Sequence, residues 1–259
     1  MRIFFLFICY NESVKEEKKM INAHGLVKKY KNLTAVDGLD LEIHKGELFS
    51  LLGVNGAGKT TTIKMLSCLT VPTDGDATVG GYSIKNEPEK VKSIIAVSPQ
   101  ETAVAPGLSV RENLELICGI HGFSKEKSDA KIKELSERLN LDSILTRRAG
   151  KLSGGWQRRV SIAMALISEP EVLFLDEPTL GLDVLARSEL WELIQLLKGK
   201  VTIILTTHYM EEAEALSDRI GIMKDGRMLA IGTADELMKK TKTDRFENAF
   251  IKIIKEGTV

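Results

Sequence analysis

Cysteine is scarce in this chain. Cys9, Cys68 and Cys118 are the only three in 259 residues, and they stand far apart. They have no metal-ligand spacing, and an odd, sparse count argues against a disulfide framework and fits a reducing compartment. Cys68 and Cys118 read as small core or surface thiols. Excess charge is missing as well: 36 Lys and Arg balance 36 Asp and Glu, so no bulk field draws the chain to nucleic acid. No run reaches the roughly 18 apolar residues that cross a bilayer. Internal repeats, coiled-coil heptads and low-complexity tracts are absent too, which excludes fibrous and repeat architectures. What remains is 43% hydrophobic, ordinary for a protein with a real core. The length suits one large domain or one domain with a subdomain.

The amino terminus needs separate treatment. Arg2 precedes Ile3-Phe4-Phe5-Leu6-Phe7-Ile8-Cys9-Tyr10, which looks like a short signal segment. Yet no small-residue cleavage site follows, and the chain runs through Asn11-Glu12-Ser13 to Lys18-Lys19. Two readings stand. Residues 1–19 are an extension, disordered or touching a membrane, or translation starts at Met20, where Met20-Ile21-Asn22-Ala23-His24 opens a domain-like pattern.

Four apolar runs each end in residues suited to a nucleoside triphosphate. Leu48-Phe49-Ser50-Leu51-Leu52 enters Gly53-Val54-Asn55-Gly56-Ala57-Gly58-Lys59-Thr60-Thr61. Ile94-Ile95-Ala96-Val97 leads to Gln100, Val172-Leu173-Phe174-Leu175 to Asp176-Glu177, and Val201-Thr202-Ile203-Ile204-Leu205 to His208. In a parallel sheet, ligands sit outside the carboxyl ends of the strands. Four such strands would bring a lysine, a glutamine, two carboxylates and a histidine to one rim. That convergence predicts a phosphate-hydrolysing site on an α/β fold.

Around this frame, Ile21 to Ile43 reads as short strands. Val36, Leu39, Leu41 and Ile43 are apolar, with Asp40 and Glu42 between them at period two, as in a half-exposed antiparallel strand. After the glycine-rich loop, Ile63, Leu66 and Leu69 have helical spacing. Pro72-Thr73-Asp74-Gly75-Asp76 reads as a turn, and Gly80-Gly81 as a hairpin joint. Arg111–Leu116 and Ser128–Leu139 are charged and amphipathic, with Ile132, Leu135 and Leu139 on one face. Ser109 and Glu112 have the spacing of a capping box. Residues 104–168 thus read as a helical insertion between two strands of the main sheet. In Arg245–Ile254, Phe246, Phe250, Ile253 and Ile254 share one face. That segment is short and flanked by Lys252 and Lys255, so it reads as a docking helix, not a membrane anchor.

The chemistry follows from the residue types. Gly53-x-x-x-x-Gly58-Lys59-Thr60 is a complete P-loop: backbone N–H groups and a helix start cradle phosphate, Lys59 reaches the β- and γ-phosphates, and Thr60 ligates Mg²⁺. A strand before and a helix after separate it from an ordinary glycine turn. Asp176, at the end of a buried run, stands where it would hold Mg²⁺ through water. Glu177 beside it would polarise an attacking water; alone, the pair would equally cap the next helix. Leu152-Ser153-Gly154-Gly155-Trp156-Gln157-Arg158-Arg159 opens a second helix, with Ser153 placed to cap it and glycine N–H groups free for an anion. One helix, Val160–Ile167, separates it from the Asp176 strand.

Taken together, residues 21–235 resemble the ATP-binding subunit of an ABC transporter, whose signature is LSGGQ. The resemblance implies a P-loop (RecA-like), mostly parallel sheet with an antiparallel β layer and an inserted α-helical subdomain. It divides the chain into an N-terminal extension (1–19), an ATPase domain (20–235, helical part about 104–168) and a C-terminal helical tail (236–259). It implies ATP and Mg²⁺ as ligands. Tyr30 would stack on adenine with Val36 beside the base. Gly53, Asn55, Gly56, Ala57, Gly58, Lys59, Thr60 and Thr61 would hold the phosphates, and Thr60, Gln100 and Asp176 the metal. Glu177, His208, Gln100 and Lys59 would carry hydrolysis, with His208 and Gln100 at the γ-phosphate. Asp183 would cross a dimer interface, and Ser153, Gly154 and Gly155 would complete the site of a second copy. The expected partners are that copy and a transmembrane permease, at the cytoplasmic face of the inner (plasma) membrane.

The stretch His208–Glu214 and the tail through Phe246–Phe250 resemble subunits of bacterial export systems. Non-transport relatives act on DNA or ribosomes, but those usually carry coiled coils or tandem ATPase units. This chain shows neither, and it has no basic stripe; nucleic acid is not an expected partner. One position departs from the pattern: Trp156 stands where the family often has Gln, which puts the packing of the signature helix in question while leaving hydrolysis expected.

Overall fold

The computed structural model describes residues 18–257. Residues 1–17, on which the choice between an extension and a start at Met20 turns, lie outside the described residues. From Ile21 the expected short strands are two long ones, β1 (Lys19–Tyr30) and β2 (Leu33–His44), paired antiparallel. His24-Gly25 interrupts the sequence alternation, but the strand bulges there instead of ending. The pairing shifts register between Ala23 and Leu26, and the Gly25 N–H donates to Asp40 Oδ1 at 2.8 Å. Val36, Leu39, Leu41 and Ile43 are all buried.

β3 (Leu48–Gly53) is buried throughout and feeds α1 (Lys59–Leu66). This helix is one turn shorter than the spacing of Ile63, Leu66 and Leu69 suggests. Cys68 takes a positive φ of 57° and Leu69 turns out to solvent. The turn after Pro72 closes early, since β4 (Asp74–Val79) begins at Asp74 and pairs with β5 (Tyr82–Ser83). Gly80 and Gly81, with φ of 60° and 89°, make the two-residue hairpin turn that needs left-handed residues. α2 (Pro88–Ile94) takes Ile94 out of the next strand, β6 (Ile95–Ser98).

The helical insertion comprises α3 (Val110–Ile120), α4 (Lys125–Arg138), two short 3-10 turns and α5 (Gly154–Leu166). The capping box forms: Ser109 Oγ accepts from Glu112 N–H and the Glu112 carboxylate from Ser109 N–H. Ile132, Leu135 and Leu139 are buried with Val110, Leu114 and Cys118 in a cluster reaching β3, β7 and β8.

Strand–helix alternation then resumes with β7 (Val172–Asp176), α6 (Val184–Leu197), β8 (Thr202–Thr207), α7 (Met210–Leu216), β9 (Arg219–Lys224) and β10 (Arg227–Gly232). The six-stranded sheet has the order β10-β9-β3-β8-β7-β6, parallel except for β10. β3, β7 and β8 are buried at every position, as strands covered on both faces must be. A four-stranded antiparallel sheet, β2-β1-β4-β5, packs over one face. α8 (Ala234–Thr241) starts just before the expected tail, and α9 (Phe246–Glu256) follows. Phe246, Ala249, Phe250 and Ile253 are buried against Leu52, Ile220, Ile222 and Leu237. Two buried phenylalanines contribute about 1.5–3 kcal/mol each, so α9 docks on its own protein. Among the described residues no helix is long and apolar enough to cross a membrane.

Candidate functional site

The carboxyl ends of β3, β7 and β8 meet at one rim, because the register sets Ser50 beside Leu205 and Asp176 beside Thr206. From β3 the backbone curls through Gly53–Gly58. A Cβ on Gly53 would lie 2.4 Å from the Met223 carbonyl oxygen, and one on Gly58 would lie 2.5 Å from that of Ala35, at a φ of 102°. Only glycine fits either position. Gly58 is the N-cap of α1, so the first N–H groups of Lys59, Thr60 and Thr61 lack intrahelical partners and carry the positive helix end.

Lys59 is buried. Its ammonium donates to the carbonyl oxygens of Gly53 at 2.8 Å and Val54 at 3.3 Å, and lies 3.5 Å from Glu177 Oε1. Burial pushes its pKa below the usual lysine range, against the opposing pull of Glu177 and Asp176. Thr60 Oγ1 donates to Asp176 Oδ1 at 3.0 Å, and Thr206 Oγ1 donates to the same oxygen at 2.5 Å. Glu177 has a positive φ of 47°, and its N–H is held by Thr206 Oγ1 at 3.0 Å. Its second carboxylate oxygen is 2.6 Å from His208 Nδ1. Lysine, carboxylate and histidine thus form one continuous chain.

Lys59, Thr60, Glu177 and His208 line a cavity of about 650 Å³, while Asp176 and Thr206 are buried behind that lining. Asn55, Gly56, Ala57, Gly58, Lys59, Thr60 and Thr61 form its floor, and Gln100, Glu177 and His208 one side. Gly53 lies beneath, in buried strand. The wall over the floor is Leu33, Thr34 and Ala35. Val36 does not belong to it: its side chain is fully buried between the sheets, because strand alternation turns Ala35 outward and Val36 inward. Its place among the apolar set with Leu39, Leu41 and Ile43 already carried that signal. Tyr30 stands at the end of β1, 43% exposed, outside the cavity lining, with Lys28 Nζ 5.0 Å from its ring centre.

Three contributors escaped the sequence reading. Thr206 anchors both Asp176 and the Glu177 backbone; hydroxyls just before His208 were the available clue. Arg158, buried in α5, donates to the carbonyl oxygens of Pro99 and Gln100, each at 2.5 Å, and so ties the signature helix to the Gln100 loop. Asp225, after β9, lines the cavity, and Gly226 beside it donates to the Ala57 carbonyl.

Ser153, Gly154 and Gly155 are not brought to this cavity. Ser153 and Gly155 line a separate one of about 210 Å³, with Trp156, Arg159, Asp183 and Leu185. Ser153 occupies the N-cap of α5, yet its hydroxyl makes no cap bond, contrary to expectation. A Cβ on Gly155 would meet that of Ala186 at 2.9 Å, so α5 and α6 start in contact. Asp183 caps α6 through the Ala186 N–H at 2.9 Å. The Arg159 guanidinium lies 4.8 Å from the Trp156 ring.

The family described as ABC transporter matches residues 36–180. The chain is 42% identical over 228 residues to the daunorubicin resistance ATP-binding protein DrrA3 of Streptomyces coeruleorubidus, covering 88% of this chain and 72% of that protein. It is 41% identical over 226 residues to the linearmycin resistance ATP-binding protein LnrL of Bacillus subtilis (strain 168), covering 87% and 73%. Among solved structures it is similar to the dimeric post-hydrolysis state of the ATP-binding cassette MJ0796 bound to ADP and Pi. That likeness has a TM-score of 0.73 at 28% identity, over 83% of this chain and 98% of that one.

Proposed function

This chain belongs to the ABC transporter family, and on that premise we propose that it is the ATP-hydrolysing subunit powering a membrane exporter. The observation that carries the reading is the Lys59–Glu177–His208 chain beside the Thr60–Asp176 pair, on the rim of one cavity. MgATP is the proposed ligand. The donor set fits the metal: a hydroxyl and a carboxylate already share a hydrogen bond, and the Gln100 side of the cavity is adjacent. Among the described residues no group of three or more His, Cys, Asp or Glu forms a protein-only metal cage, and Mg²⁺ is usually held by few protein oxygens together with substrate phosphates. When bound, the metal neutralises phosphate charge.

The residues divide the work. Asn55 to Thr61 offer backbone N–H groups and the α1 terminus to phosphates. Lys59 exchanges the Gly53 and Val54 carbonyls and Glu177 for phosphate oxygens. That exchange frees one Glu177 oxygen to orient or deprotonate water, while His208 steadies the other. Gln100 and His208 sense the terminal phosphate. Ala35 takes the wall position expected of Val36, and Tyr30 supplies a face for the base from the nearby hairpin.

A second copy would complete the site. Ser153, Gly154 and Gly155 point their helix start at no phosphate position in their own chain, which suits a head-to-tail dimer, and the MJ0796 neighbour is dimeric. A separate transmembrane permease would hold the dimer at the cytoplasmic face of the inner membrane, contacting the Gln100 loop and the helical part. In this reading residues 20–235 form the ATPase unit, residues 104–168 its helical part and residues 236–259 its tail. Glu177→Gln should keep ATP affinity, lower hydrolysis by about a hundredfold or more, and trap an ATP-dependent dimer in size-exclusion chromatography. Hydrolysis at the parental rate would refute the assignment.

A further inference from the structure

A second polar cluster is buried at the root of the Glu177 and His208 segments, and nothing in the proposed chemistry uses it. Its centre is Glu212 on α7, whose side chain is fully buried. Trp191 Nε1 donates to Glu212 Oε1 at 3.0 Å. Burial pushes its pKa up, against the opposing influence of the neighbouring Thr207, Thr179, Trp191 and Arg187. The Arg187 guanidinium also lies 4.4 Å from the Tyr209 ring centre, and that ring is 4.1 Å from the His208 imidazole.

The residues around Glu212 belong to segments with work at the cavity. Thr179 is two residues beyond Glu177. Thr207 directly precedes His208. Arg187 and Trp191 lie on α6, whose N-cap is Asp183. The Trp191–Glu212 bond and the Arg187–Tyr209–His208 stack therefore join the helix that starts at the expected dimer contact to the histidine loop, and His208 in turn holds Glu177.

Such a joint is expensive. A buried carboxylate is stabilised only by full pairing, and an apolar replacement of similar shape generally holds a fold as well or better. Here the pairing is incomplete. Thr179 Oγ1, Arg187 Nε and Glu212 Oε2 are buried without a hydrogen-bond partner among the described residues. Partly satisfied polar networks are poor struts and call for an explanation other than stability.

We propose that Glu212 is a positioning residue that couples the start of α6 to Glu177 and His208. Pressure on the Asp183 loop from a second copy moves α6, and Arg187 and Trp191 carry that movement through Glu212 and Tyr209 to the two side chains at the rim. The inference rests on the roles given to Glu177 and His208 above.

Steady-state ATP hydrolysis by the full chain tests it, with Glu212→Ala, Glu212→Gln, Trp191→Phe and Glu177→Gln measured side by side. Glu212→Ala should lower kcat by about tenfold or more, with KM for ATP within about threefold of parental. Glu212→Gln keeps an acceptor for Trp191 and the shape of the site, and should hold kcat within about threefold. Trp191→Phe leaves the carboxylate but removes its donor, and should lower kcat by at least about threefold at constant KM; it carries the test if Glu212→Ala does not fold. A kcat within about twofold of parental in both Glu212→Ala and Trp191→Phe overturns the proposal, as does a KM that rises in step with the fall in kcat. An inactive Glu177→Gln beside a fully active Glu212→Ala would sink the positioning role alone. An active Glu177→Gln would sink the site reading beneath it.

Discussion

The Lys59 loop and the Ser153 turn are both glycine-bearing starts of helices, yet they treat their polar groups in opposite ways. Around Lys59 the central charged groups pair within the chain: ammonium to carbonyls and Glu177, Glu177 to His208, Asp176 to two threonine hydroxyls. At the Ser153 turn the cap hydroxyl makes no cap bond. Close by, Val184 and Leu185 of the neighbouring helix are 78% and 77% exposed. The polar groups of the first site are satisfied by one another. The second presents N–H groups beside bare apolar surface, which suits the proposed dimer face.

Substitutions should separate the two regions. The largest effect belongs to Lys59→Ala, which should remove detectable ATP binding by equilibrium titration and lower hydrolysis by about a thousandfold. If ATP still binds tightly, the Lys59 cavity is not the phosphate site. Gly154→Asp comes next. It sets a negative charge at the α5 start, so hydrolysis should fall by about a hundredfold and ATP-dependent dimers should disappear, while each monomer still binds ATP. Equal loss of binding in both variants would break the contrast, because it would put both regions in one intrachain site.

Trp156→Gln should have a smaller effect. It removes the stacking partner of Arg159, worth about 0.5–1 kcal/mol, and should shift the unfolding midpoint slightly while leaving hydrolysis within about threefold. A gain above about tenfold would mean that Trp156 restrains the signature helix.

The smallest expected effect is the pH dependence of Glu212→Gln stability. Glu212 has a folded pKa raised above its ordinary 4.5, so the folded state binds its proton more tightly than the unfolded state. Its ionisation therefore costs stability, fully above the folded pKa, and the cost fades as pH falls towards 4.5. Denaturant titrations should show Glu212→Gln gaining on the parental chain as pH rises through that window. No such trend would mean that the carboxylate is already well paired.

Much of the Lys59 region was legible residue by residue. Its glycines, lysine and acidic pair follow buried apolar strands, and covalent neighbours fix where each functional group sits relative to its strand end. Val36 is buried between the sheets and Ala35, not Val36, lines the cavity. The alternation that marks it as core turns its side chain inward and Ala35 outward. Leu69 falls outside α1: a helical spacing does not reveal where a left-handed residue such as Cys68 ends the helix. Thr206, Arg158 and Glu212 were not legible because their partners lie 29 or more residues away or, for Glu212, across an interface between helices. Single threonines, arginines and glutamates look the same whether they face solvent or a buried carboxylate.

By itself the sequence determined the parallel α/β frame, the glycine-rich turn before Lys59 and the identity of the groups at the strand ends. These depend on local periodicity, on glycine's backbone freedom and on residues adjacent in the chain. Only the tertiary structure decided that Lys59 pairs with Glu177, that the Ser153 turn opens on a different cavity, and that the buried Glu212 of α7 pairs with Trp191 of α6. Those depend on the order and register in which distant strands and helices pack, and no local pattern encodes them.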